Sequence, residues 1–180
     1  MSAHTPTTSV TEFVPYAGPP VPCIQQDIVH PGVLKQWMED DNLWVPQTPT
    51  VWFKPCLLSP SNGYFVNLLR VRQQGILSRH RHAGAVHALV LRGRWRYLEH
   101  AWIAEEGSYI YEPPGDIHTL IMPEGVDEMI TWFHNTGGYT YVDPEGNPVG
   151  YEDVFTKIAA AKRHYSTIGL GEDYINRFLR

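Results

Sequence analysis

The sequence predicts an all-β domain, an antiparallel sandwich or barrel, with a helix at its C-terminal end and an extended N-terminal arm. Three observations carry this reading. Short runs rich in β-branched and aromatic residues recur from Trp44 to about Met129. Gly, Pro and Asn punctuate those runs at short intervals. After Tyr151 the apolar period lengthens to that of a helix.

The elements follow in order. Prolines at 6, 15, 19, 20 and 22 make residues 1–22 an extended or disordered arm, which leaves 23–180 as the folded domain. A short helix is expected over Val33–Asp40, after Pro31. The expected strands are TVWFKPCLL, YFVNLLRVR, VHALVLRG, RWRYLEHAW, SYIYEP, HTLIM and EMITWFHN. Ser61-Asn62-Gly63, Gln74-Gly75, Gly93, Glu106-Gly107, Pro113-Pro114-Gly115 and Pro123-Glu124-Gly125 supply the turns between them. In the tail, Val154, Ile158, Ala161 and Tyr165 fall on one helical face, and Gly169 is a natural stop. Many short strands at this spacing close into a sandwich or barrel, with the helix packed outside.

Composition narrows the function classes. The 180 residues carry a formal charge of −5 and no basic stripe, which argues against nucleic acid as a partner. No run of 18 apolar residues is present, so no membrane-spanning segment is expected. Two cysteines, Cys23 and Cys56, are too few for a disulfide framework or a Cys-rich zinc site. With no basic-then-apolar leader in MSAHTPTTSV, a cytoplasmic location is expected.

Histidines carry the chemistry. His80 and His82 lie two apart at the start of a strand-like run, and residues i and i+2 of a strand point to the same face. Both imidazoles can therefore reach one point inside a barrel. A third ligand must come from a distant strand, and His118, just after the Pro113-Pro114-Gly115 turn, is the candidate. Neutral imidazole suits Fe, Zn, Cu and Ni alike, so ligand type does not choose the metal.

These residues carry a resemblance. Gly75-x4-His80-x-His82, running on to Gly93, resembles the first motif of the cupin superfamily, and Gly107-x5-Pro113-x-Gly115-x2-His118 resembles the second. The resemblance implies a single cupin (jelly-roll) β-barrel around a mononuclear metal. Two positions depart from it. The first motif's glutamate, five residues after its second histidine, is here His87, read as a hydrogen-bonded histidine in the core or beside the ligands rather than a ligand itself. The second motif's closing asparagine is Met122.

HRHAGAVHALVLRGRWRYLEHAW, GSYIYEPPGDIHTLIMP and YVDPEGNPVGYEDVFTKI together resemble the 2,4'-dihydroxyacetophenone dioxygenase family, from about Trp52 to the C-terminus. That likeness implies mononuclear Fe(II) on His80, His82 and His118, with an acidic residue near the iron at Glu99. It implies cleavage of an aryl 2-hydroxy ketone by O2, giving 4-hydroxybenzoate and formate. Glu99 is expected to act as the catalytic base, because Trp95, Tyr97 and Glu99 share one strand face. Tyr97 on the same face is expected to contribute to substrate binding.

Two other readings stand beside this one. A cupin that cleaves β-diketones would also chelate its substrate on three histidines, within a wholly apolar pocket. A non-catalytic zinc-binding sensor would resemble the cupin domain of anti-sigma factors, which normally follows a helical partner-binding module longer than the 22-residue arm. In each case the expected assembly is a homodimer or higher homo-oligomer, with the arm placed to cover a neighbour's sheet edge.

Overall fold

The computed structural model describes residues 15–20, 22, 25 and 27–180. The expected arm lies mostly outside the described residues. Its described positions, 15–20 and 22, are exposed and belong to neither helix nor strand.

Among the described residues, two six-stranded antiparallel sheets pack face to face as a jelly roll. The first runs β1 (Val45–Thr48), β2 (Val51–Ser59), β3 (Tyr64–Val71), β10 (Met129–Thr136), β5 (Val86–Arg92) and β8 (Tyr109–Glu112). The second runs β12 (Pro148–Glu152), β11 (Tyr139–Val142), β4 (Gly75–His82), β9 (Ile117–Met122), β6 (Arg94–Tyr97) and β7 (Ala104–Glu105).

Alternation along the strands builds the space between the sheets. Val86, Ala88 and Val90 of β5 point inward and are buried, while His87 and Leu89 face out. Val71, Trp95, Met122, Met129 and Phe133 complete this core. A second core fills the space beneath helix α2 (Val154–Thr167), where Ala161 and Tyr165 meet Phe53, Leu58, Phe65 and Phe178. A third lies under the N-terminal helix α1 (Gln36–Glu39), with Met38 and Trp44 against Leu68 and Ile130.

Helix α2 is where its period places it. Asp153 and Thr156 form a reciprocal capping box at its start, the Asp153 carboxylate accepting from Thr156 N at 2.8 Å. Gly169 follows its end with φ of 83°, a conformation that favours glycine. Gly138 joins β10 to β11 at φ of 76°, and a Cβ there would overlap the Glu152 carbonyl oxygen.

Three expectations are corrected. The helix expected over Val33–Asp40 forms only at Gln36–Glu39, with turns before it. RWRYLEHAW is not one strand: β6 stops at Tyr97, so Glu99 loses the face it was expected to share with Trp95 and Tyr97. His80 and His82 end a strand, β4, instead of starting one. β4 was hard to see because GILSRHRH puts polar residues on both faces near the site. Among the described residues no helix is long and apolar enough to cross a membrane.

Candidate metal centre

His80 and His82 reach the interior from the end of β4, and His118 lies directly opposite His80 in the β4–β9 ladder. The three imidazoles are buried, and their Nε2 atoms converge: 3.1 Å from His80 to His82 and 3.2 Å from His118 to His80. Metal–imidazole bonds of about 2.0–2.1 Å at near right angles place neighbouring nitrogens about 3 Å apart. The triad therefore has the spacing of three ligands on one face of a metal ion.

The opposite sheet supplies an acid. Glu112, the last residue of β8, is 3% exposed and holds its Oε2 3.0 Å from His82 Nε2 and 3.6 Å from His118 Nε2. Its Oε1 accepts a 2.7 Å hydrogen bond from the Tyr97 hydroxyl, but Oε2 is buried with no hydrogen-bond donor. A buried carboxylate oxygen without a donor is expensive. A cation among the three histidines would complete it, so the donor set fits a divalent metal with open positions left for substrate.

Protonation points the same way. Burial lowers the His80 pKa well below the ordinary histidine value, and the neighbouring histidines add to this. Burial likewise brings His118 down to about 4. Both imidazoles are neutral at pH 7, with lone pairs available to a metal. Burial and the Glu112 charge raise Tyr97 well above its usual value, so it stays a hydrogen-bond donor. Tyr97 also stacks on His118 at 3.7 Å with planes 7° apart, fixing that ring against the sheet.

The other sequence candidates lie elsewhere. Glu99 sits in the turn after β6, exposed, with both carboxylate oxygens engaged by Thr119: 2.7 Å to the backbone N and 2.7 Å to Oγ1. His87 lies on the outer face of the first sheet, hydrogen-bonded to the Tyr109 hydroxyl at 2.7 Å and stacked on His134. Glu112 was missed, although a signal existed. In SYIYEP, Ile110 and Glu112 share one parity, and Tyr109 and Tyr111 share the other.

A cavity of about 350 Å³ opens beside the triad. Its lining is mixed: Leu69, Leu77, Leu120 and Phe133 supply apolar wall, while Asn67 and Asn135 are buried amides facing the same space. The size and lining suit a small organic ligand.

Comparison with known proteins agrees with this architecture. The sequence profile of the ChrR cupin-like domain matches residues 37–140. An RmlC-like cupin protein from Ralstonia eutropha JMP134 superposes with a TM-score of 0.65 at 28% identity, over 69% of this chain and 82% of that one. A protein of unknown function with a cupin-like fold, from the same organism, gives 0.63 at 25% identity, over 66% and 75% of the two chains. The acetylacetone dioxygenase of Acinetobacter johnsonii gives 0.62 at 15% identity, over 82% and 97%, a likeness of fold alone. No curated protein matches the sequence significantly.

Proposed function

The chain belongs to the ChrR cupin-like domain family, and on that premise we propose that it is an Fe(II)-dependent dioxygenase acting on aryl 2-hydroxy ketones such as 2,4'-dihydroxyacetophenone. The reaction consumes one O2 and breaks the bond between the carbonyl carbon and the hydroxymethyl carbon, leaving an aryl carboxylic acid and formic acid. One observation carries this reading: three buried, convergent imidazoles and the donor-less Glu112 Oε2 meet beside a cavity of ligand size, which His80 and His82 line.

His80, His82 and His118 would hold the ferrous ion, which would supply Lewis acidity toward the substrate's carbonyl and hydroxyl groups and the means to activate O2. Glu112 Oε2, free of other donors, would receive the proton of the substrate hydroxyl. Tyr97 positions that carboxylate by donating to Oε1. The apolar wall of Leu69, Leu120 and Phe133 takes the ring and keeps water from the reacting carbons. Glu99, tied to Thr119, is assigned the task of fixing the start of β9 next to His118.

The mixed polarity of the cavity supports a ring-bearing hydroxy ketone over a β-diketone, for which a wholly apolar pocket is expected. A second reading, a non-catalytic metal-binding sensor, draws on the family description; a ligand-sized cavity at the triad speaks for the enzyme. Anaerobic loading with Fe(II), followed by 2,4'-dihydroxyacetophenone and O2, tests the proposal. Oxygen uptake matched by formate release is expected. Uptake with acetylacetone alone would favour the diketone enzyme, and retained zinc with no uptake on any substrate would favour the sensor.

A further inference from the structure

The cavity has a second polar region, which the chemistry above does not use. Tyr139 borders both this region and the candidate metal centre: its ring lies 5.1 Å from the His80 ring and 5.9 Å from Lys157 Nζ. Lys157 belongs to α2, the helix outside the barrel, yet its side chain is 2% exposed and reaches inward past Phe53, 4.4 Å from the ring centre. Its Nζ donates to Gln47 Oε1 at 2.6 Å and lies 3.4 Å from Glu152 Oε2. Gln47 Nε2 donates in turn to the hydroxyls of Tyr141 at 2.8 Å and Tyr139 at 3.1 Å.

Gln47, Tyr139, Tyr141 and Lys157 all line the cavity that His80 and His82 line, and exposed Thr48 and Val149 line it as well. The group offers unused hydrogen bonds. An ammonium has three N–H donors, and Gln47 and Glu152 take two. Burial pushes Lys157 down to about 8, so this charge is incompletely compensated by its present partners. Holding such a cluster together inside a barrel costs stability, and apolar residues would fill the same space more cheaply. The cluster and two of the triad's histidines border the same cavity, with the Tyr139 ring against both, so one small ligand can touch the two together.

We propose that Lys157, Gln47 and Tyr141 bind a hydroxyl group on the substrate's aromatic ring, which makes this cluster the specificity determinant for ring-hydroxylated aryl 2-hydroxy ketones. Lys157 donates to the hydroxyl oxygen, and Tyr141 accepts or returns the hydrogen bond. This rests on the dioxygenase reading for the orientation of the substrate, though not for the recognition of the hydroxyl.

The test has two arms. In the first, the iron-loaded protein turns over 2,4'-dihydroxyacetophenone and 2-hydroxyacetophenone, which lacks the ring hydroxyl. The wild type is expected to favour the former about tenfold or more in kcat/KM, the effect of one or two hydrogen bonds to a charged group. Lys157→Met and Tyr141→Phe are each expected to shrink that ratio several-fold, through KM rather than kcat. Equal losses on both substrates would overturn the assignment. In the second arm, calorimetry compares 4-hydroxyacetophenone with acetophenone, neither of which has the hydroxymethyl carbon to be cleaved. Tighter binding of the hydroxylated ring that vanishes in Lys157→Met supports the cluster even if no ketone is oxidised. Turnover without any such discrimination leaves the dioxygenase standing and rejects the cluster. Tyr141→Phe leaves the Lys157–Glu152 pair intact, so it serves as the variant least prone to misfolding.

Discussion

Glu112 sets its buried carboxylate against His82 and His118. Its Oε2 is buried without a donor, 3.0 Å from His82 Nε2, and a cation held by the histidines would complete it. Glu112→Gln keeps the shape and removes the charge. It is expected to weaken metal binding about 10- to 100-fold, the usual range for a partner of metal ligands, and, under the proposed dioxygenase function, to reduce kcat further. Equilibrium dialysis with metal analysis measures the first effect and oxygen uptake the second. Lys157 makes a separate prediction. Its pKa is about 8 in the fold against 10.5 outside it, so the unfolded chain binds this proton more tightly. The cost is full below pH 8 and disappears as pH rises toward 10.5. A shift of this size corresponds to about 3 kcal/mol. Lys157→Met should therefore raise the melting temperature at pH 7 by several degrees and lose that advantage by pH 10.5. His118 works in the opposite range. Its folded pKa is depressed below the ordinary 6.5, so its contribution is intact above 6.5 and is lost as pH falls toward 4. Metal-free protein should lose stability across that window in urea titrations. At this scale the sequence showed the three histidines, since i, i+2 spacing and a proline–glycine turn are local signals. It pointed to Glu99 as the acid, because it could not reveal that β6 ends at Tyr97.

Strand boundaries and turns account for what was and was not readable among the elements. β2, β3, β5, β8, β9 and β10 each fall within a residue or so of where their β-branched and aromatic runs place them. The strands β11 and β12 were not anticipated. Their sequences, YTYV and PVGYE, are short, and their pairing depends on Gly138, which lets the chain pass close under the Glu152 carbonyl. That strand pair borders the candidate metal centre, since β11 pairs with the histidines of β4 and carries Tyr139 and Tyr141. Gly138→Ala adds a Cβ where φ is 76° and the backbone of Glu152 and Asp153 already fills the space. It should destabilise the protein by about 2–3 kcal/mol, readable as a lower urea midpoint. The α2 helix was legible from its apolar period alone, but its inward Lys157 was not. A lysine in a helical pattern is ordinarily a solvent residue, and only the packing of α2 over β1 and β2 turns it into the barrel.

Across the whole molecule, the site lies where the two sheets face one another. The second sheet contributes the three histidines, Tyr97 and Tyr139, and the first contributes Glu112 and the amides Asn67 and Asn135. No single strand run could disclose this, because ligands and acid meet only after the jelly roll closes. The fold class was legible because turn spacing and strand composition are repeated many times along the chain. The acid depended on one long-range contact, between β8 and the end of β4. We propose that this junction holds iron and splits an aryl 2-hydroxy ketone with both atoms of O2. A single turnover of the Fe(II)-loaded protein on 2,4'-dihydroxyacetophenone under heavy-isotope O2 tests it most directly. Mass spectrometry is expected to find one heavy oxygen in the 4-hydroxybenzoate and one in the formate. Unlabelled products, or unchanged ketone with iron bound to the histidines, would contradict it.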